Sequence, residues 1–325
     1  MNTDKSSNSQ AGYLTMSQYK IAIIGECMVE LQRKKDLLKQ SFGGDTLNTA
    51  LYLSRLTENY NISVSYITAL GNDPFSTEML TTWSEEGIDT EQVLRLSDKM
   101  PGLYHIETDE TGERTFFYWR SDAAAKFVFD QPESQSLVES LMDYDAVYLS
   151  GITLAILTDS GRGTLFSFLE KFKAKGGNVF FDNNYRPKLW PNRETAQRTY
   201  LTMLRFTDTA LLTFEDDQDL FGDTCLEESI ERTQQASVSE IVIKRGAKEC
   251  LVLSEGHAEY IAPKPVNSVI DTTAAGDSFS AGYLAKRLTG GDAFNSAAMG
   301  HKVAGTVIQY RGAIIPKTAT PTLDQ

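Results

Sequence analysis

From Lys20 onward the chain alternates short β-branched or apolar runs with longer amphipathic stretches. Residues 21–24, 64–70, 146–149, 179–182, 210–213 and 241–244 have the length and composition of buried strands. Between them, residues 47–56, 77–86, 163–175, 194–206 and 226–236 carry apolar positions at helical spacing. This alternation predicts an α/β fold, a three-layer sandwich whose mostly parallel sheet has helices on both faces. Such folds bind ligands beyond the carboxyl ends of their strands, so polar residues that follow a run are candidate site residues.

Two stretches break the rhythm. Residues 31–42 and 103–129 lack a crossover helix, and within the second, 103–108 and 114–120 flank a turn at 109–112. Together they predict a small β lid, an insertion suited to covering a ligand, to pairing with a second copy, or to both. The first 18 residues are polar and are expected to be a disordered extension, with Met16 a candidate start, leaving 19–325 as one domain. No repeat or low-complexity segment interrupts it.

Composition narrows the partners. A formal net charge of −13 argues against nucleic acid and against an anionic membrane surface. It also makes each basic residue near a site notable, because an acidic ligand needs local Arg or Lys. Cys27, Cys225 and Cys250 are far apart and lack metal spacing, which suits a reducing cytoplasm. No apolar run reaches the roughly 20 residues of a membrane span, and no secretory pattern opens the chain.

Five clusters carry candidate chemistry. The first is Asp271-Thr272-Thr273-Ala274-Ala275-Gly276-Asp277, preceded by a β-branched run and followed by a periodic segment with Phe279, Tyr283, Leu284 and Leu288. Small residues at a helix N-terminus leave backbone N–H groups open to an anion, and Asp277 would sit beside that anion within reach of an attacking hydroxyl. Read alone, Asp277 is equally well a complement to the helix dipole.

The second is Gly43-Gly44-Asp45-Thr46-Leu47-Asn48, where Asp45 and Asn48 share a helix face and can grip a polyol, although Asp45 is also a plain N-cap candidate. In the third, Tyr118 and Arg120 share a strand face with Tyr104 opposite; Arg120 suits a carboxylate, or merely snorkels. The fourth, Asp182-Asn183-Asn184-Tyr185-Arg186-Pro187, offers Asn184 and Arg186 at a strand end, or simple turn chemistry closed by proline. The fifth, Lys244-Arg245-Gly246, is a weaker strand-end turn. Neither a G-x-x-x-x-G-K-[ST] loop nor an H-R-D catalytic loop is present, and no dinucleotide fingerprint follows the first run.

In this order, the clusters resemble the ribokinase-like (PfkB) carbohydrate kinases from about Lys20 to Pro316. Details such as Gly25-Glu26-Cys27-Met28-Val29-Glu30, Pro101-Gly102-Leu103-Tyr104, Tyr118-Trp119-Arg120 and Tyr310-Arg311-Gly312-Ala313 are closest to family members that act on 2-keto-3-deoxygluconate. The resemblance implies ATP and Mg²⁺ as cofactors and Asp277 as the base for the sugar's terminal hydroxyl. It implies that the amides of Ala274, Ala275 and Gly276 stabilise the transferring phosphoryl group. Gly44, Asp45, Asn48, Tyr104, Tyr118, Arg120 and Arg186 are implied sugar contacts. Asn184, Arg186, Lys244, Arg245, Gly246, Ala274 and Gly276 are implied at the nucleotide. The resemblance also implies a homodimer formed through the lid.

Two departures from the family stand out: Ala274 replaces a glycine, and Thr213-Phe214-Glu215-Asp216 replaces the usual N-x-x-E. The second leaves Asp216 to hold a metal through water. A neutral-sugar kinase and a sugar-binding regulator without turnover are the alternatives.

Overall fold

The computed structural model describes residues 18–34, 37–108 and 114–323. The polar extension, Met16 and the 109–112 turn lie outside the described residues, apart from residue 18.

In chain order the elements are β1 (Tyr19–Ile24), β2 (Met28–Lys34), β3 (Leu37–Gly43), α1 (Asp45–Leu56), β4 (Ile62–Ile67), β5 (Ala69–Leu70), α2 (Pro74–Glu85), β6 (Leu94–Arg95), β7 (Leu103–Thr108) and β8 (Arg114–Trp119). There follow α3 (Ser134–Leu141), β9 (Ala146–Ser150), α4 (Gly151–Ile156), α5 (Asp159–Ala174), β10 (Asn178–Asp182), α6 (Arg193–Leu204), β11 (Thr209–Thr213), α7 (Phe214–Phe221), α8 (Leu226–Gln235), β12 (Glu240–Lys244), β13 (Cys250–Ser254), β14 (His257–Ile261), α9 (Ala275–Leu288) and α10 (Ala293–Val307).

The large sheet runs β14-β13-β12-β11-β10-β9-β1-β4, parallel from β4 to β12 and closed by an antiparallel β12-β13-β14 edge. Alternate residues of each inner strand feed opposite faces, which is why two cores form. Ile21, Ile23, Tyr148 and Val242 pack under α1, α9 and α10, whereas Ala22, Ile24, Leu149, Phe181 and Ile243 pack under the helices of the other face. The α/β class and the parallel core agree with the periodicity. The predicted run at 64–70 divides into β4 and β5 at Thr68, and the run before the 271–277 turn is irregular. There Val269 and Ile270 are exposed, and the Ile270 and Asp271 amides both donate to Ile308 O.

A second, smaller sheet has the order β3-β2-β7-β8. It starts at Met28 and stops at Trp119. Ala124–Phe127 forms a short 3₁₀ turn whose Ala124 is buried in the main core, so the small sheet is narrower than the sequence boundary at 129. Its two edge strands expose Phe116, Phe117, Tyr118 and Trp119 on β8, and Leu37 and Leu38 on β3. The chain leaves the large sheet for the small one just after β1, the strand at which the order reverses between β4 and β9. The carboxyl ends of β1, β10, β11 and β12 therefore open toward the same side as the small sheet.

Candidate active site

A cleft of about 470 Å³ occupies that side, lined among others by Gly44, Asp45, Asn48, Tyr104, Tyr118, Asp182, Asn184, Arg186, Asp216, Lys244 and the 272–277 turn. Residues from both ends of the chain meet here: Asn48 Nδ2 donates to Asp277 Oδ2 at 2.8 Å, and Thr49 Oγ1 donates to Asp277 O at 3.2 Å. The amide of Asn48 leaves its own Oδ1 buried and without a partner among the described residues. On the opposite side, Asn184 Nδ2 donates to Asp45 Oδ2 at 2.7 Å.

The 271–277 turn is held from inside. Asp271 Oδ1 accepts from the Thr273 amide and hydroxyl at 3.0 and 2.6 Å, and Asp271 Oδ2 accepts from the Gly312 amide at 2.9 Å. This bracing delivers Ala274 as the N-cap of α9 in the left-handed region, at φ 61°. That conformation is why a glycine suits the position; a methyl is accommodated there at about 1 kcal/mol. The Ala275 amide, expected as an anion donor, donates to Thr272 O at 3.1 Å. No partner is found among the described residues for the Ala274 and Gly276 amides.

Burial and crowding shift the acids. Asp277 is pushed up to about 8, first by burial and then by Asp45, with the Asn48 hydrogen bond pulling the other way. Asp45 is likewise raised, mainly by burial. Asp216 is pushed up to about 6 by burial, opposed by Arg186. A carboxylate tuned toward neutrality beside open amides has the properties of a general base. Charge balance comes from Lys244, whose Nζ donates to the buried Asp182 Oδ2 at 2.7 Å and lies 3.8 Å from where a Cβ on Gly276 would stand. Ser280 Oγ donates to the same Asp182 oxygen at 2.8 Å. Asp182 and Ser280 thus fix Lys244 under the helix N-terminus, a role that no local motif announced.

The glycine pair is required by close approach. A Cβ on Gly43 would stand 2.4 Å from Tyr104 Oη, and one on Gly44 2.1 Å from Glu26 O. Tyr104 is in turn fixed by donating to Glu30 Oε2 at 2.5 Å, and its ring lies 5.8 Å from that of Tyr118.

Three of the expected contact residues do not line this cleft. Arg120 does not line the cleft; its guanidinium pairs with Glu26, a buried carboxylate that sequence reasoning quoted but gave no role. Arg245 lies over the Tyr260 ring, 5.6 Å from its centroid, and 3.8 Å from Glu249. Gly246 forms a left-handed turn outside the cleft. Arg186 does line it, half-exposed, with Nη1 3.4 Å from Asp216 Oδ1.

Among the described residues no cluster of three His, Cys, Asp or Glu side chains could cage a metal. Asp216, set at the cleft wall, does fit Mg²⁺, which keeps several waters and takes one or two carboxylates plus substrate phosphates.

The chain matches the model of the pfkB family carbohydrate kinases over residues 18–320. The chain belongs to this family. It is 54% identical to a 2-dehydro-3-deoxygluconokinase of Escherichia coli over 305 residues, covering 93% of this chain and 99% of that one. It is 52% identical to the 2-dehydro-3-deoxygluconokinase of Dickeya dadantii over 309 residues, covering 94% and 100%. The crystal structure of 2-dehydro-3-deoxygluconokinase from Thermotoga maritima superposes with a TM-score of 0.78 at 20% identity, covering 92% of this chain and 95% of that one; at that identity it speaks for the fold.

Proposed function

We propose that this pfkB kinase transfers the γ-phosphoryl group of ATP to the terminal hydroxyl of 2-keto-3-deoxygluconate (2-dehydro-3-deoxygluconate), giving the 6-phosphate and ADP. The observation that carries the reading is the Asp277 carboxyl, raised toward neutrality and held by Asn48 beside the start of α9. The 52–54% identity to enzymes named for this substrate supports the same choice.

Asp277 accepts the proton of the terminal hydroxyl as its oxygen attacks the γ-phosphorus in line, and ADP leaves with the bridging oxygen. The Ala274 and Gly276 amides and Lys244 supply fixed positive potential where charge gathers; one such donor typically contributes about 3 kcal/mol. When bound, Mg²⁺ supplies charge neutralisation on the nucleotide phosphates, and Asp216 would hold it through water. Asp45, Asn48 and Asn184 offer the donors and acceptors for sugar hydroxyls. Arg186 lines the cleft as a cation for the sugar carboxylate and the nucleotide phosphates, and Arg120 stands behind the cleft wall, engaged by Glu26. Tyr104 and Tyr118 on the small sheet close the cleft and exclude water, which otherwise competes as acceptor.

The exposed apolar residues on the edge strands of that sheet support a homodimer formed through it, and three free cysteines support a reducing cytoplasm. The decisive experiment compares kcat/KM for 2-keto-3-deoxygluconate, fructose and ribose with saturating ATP. A preference for the sugar acid of about 100-fold or more is expected; a preference for a neutral sugar overturns the reading, and binding without ADP release would make the protein a regulator.

A further inference from the structure

The Glu26–Arg120 pair is unusual in its place and in its incompleteness. Glu26 follows β1 where the chain crosses into the small sheet, and Arg120 follows β8 where it crosses back, so the pair spans both crossings. Their side chains are 2% and 13% exposed, yet Arg120 Nε is buried with no partner, leaving a two-toothed fork engaged through Nη2. A buried pair with an unused donor is a poor stabilising device. It stands just behind the cleft wall: a Cβ on the cleft residue Gly44 would strike Glu26 O, Tyr118 lines both the cleft and the neighbouring pocket that Arg120 lines, with the Arg120 guanidinium carbon 6.0 Å from its ring centroid, and Asp45 is near enough to act on Glu26 electrostatically.

Resting on the reading of the protein as a sugar-acid kinase, we propose that Glu26 is an internal carboxylate that occupies Arg120 in the empty enzyme and is replaced there by the carboxylate of the sugar acid. The incoming carboxylate can use both Nε and Nη2, which Glu26 does not. A neutral sugar leaves the pair intact and gains nothing from Arg120, so Glu26 makes release of the arginine conditional on an acidic ligand.

The exchange has a proton balance. Glu26, already raised by burial and faced by Arg120, Asp45, Cys27 and Tyr66, loses the cation that pairs with it and takes up a proton from the buffer as the sugar binds. Binding of 2-keto-3-deoxygluconate to the wild-type enzyme, followed by calorimetry in buffers of different ionisation enthalpy near pH 7, therefore shows net proton uptake, with no variant needed. In Glu26→Gln the uptake disappears, and KM for the sugar acid falls about tenfold because the competitor is gone, while KM for fructose does not fall.

Absence of proton uptake in the wild type, or a Glu26→Gln variant whose KM rises for acid and neutral sugars alike, makes the pair a structural tie and overturns the exchange. If Arg120→Ala leaves KM for the sugar acid unchanged, the exchange fails while the sugar-acid activity stands. A wild type that prefers a neutral sugar defeats the activity itself and the exchange with it.

Discussion

Replacing Asp277 with Asn separates catalysis from stability, because the property that makes Asp277 a base also makes it expensive to bury. The carboxyl is raised from its ordinary value near 3.8 to about 8, mostly by burial and by Asp45. A carboxyl whose folded pKa lies above its unfolded one favours the folded state only when protonated. Its contribution is complete below about pH 4 and is lost as pH climbs through about 8. The full separation sets a ceiling of about 6 kcal/mol at 1.36 kcal/mol per unit. Solvent entering the open cleft and the field shared with Asp45 bring the realistic gain to about 1–3 kcal/mol.

Asp277→Asn keeps an oxygen to accept the Asn48 hydrogen bond and removes the charge. Thermal unfolding from pH 4 to 9 is therefore expected to show the variant more stable by a few degrees at pH 8, with the gain shrinking steadily toward pH 4. In a coupled ADP-release assay, kcat should fall by about 10²–10⁴. A variant that keeps more than a tenth of wild-type kcat, or is less stable than wild type at pH 8, refutes the reasoning.

Further expectations follow from the same geometry. Wild-type kcat/KM should rise with pH through about 8 as Asp277 loses its proton; a profile flat from pH 6 to 9 would deny that assignment. Gly44→Ala forces a Cβ to within 2.1 Å of Glu26 O, which should cost about 1–3 kcal/mol in a denaturation curve and lower kcat/KM at least tenfold. Ala274→Gly relieves a left-handed alanine but frees the unfolded chain, so stability should change by less than about 0.5 kcal/mol with kcat within twofold. Arg186→Ala removes a half-exposed partner of Asp216 that contributes about 0.2–1 kcal/mol, so the melting temperature should barely move while KM for ATP rises about tenfold.

The large sheet was legible because strands buried on both faces write continuous apolar runs, and their ends announced Asp182, Asn184 and Lys244. The 271–277 turn and the Gly43-Gly44 pair were legible because small residues and a following helical period are local signals. What escaped is what long-range packing decides. Arg120 and Glu26 are 94 positions apart, and strand periodicity gave Arg120 a face without naming the acid that would meet it. Ser280 reaches Asp182 across 98 positions, and nothing in either segment signals that their shared oxygen would seat Lys244. Arg245 and Gly246 follow Lys244 directly, yet the antiparallel turn into β13 carries them away from the cleft. The capture of the Ala275 amide by Thr272 O follows from the left-handed geometry at Ala274, which composition alone does not reveal.

The central claim is tested most directly by giving the enzyme ATP, Mg²⁺ and equimolar 2-keto-3-deoxygluconate and fructose, and following the mixture by phosphorus NMR. The account predicts one new phosphomonoester, on the terminal oxygen of the sugar acid, formed as ADP appears. Fructose phosphate as the main product, or ADP without any sugar phosphate, would contradict it.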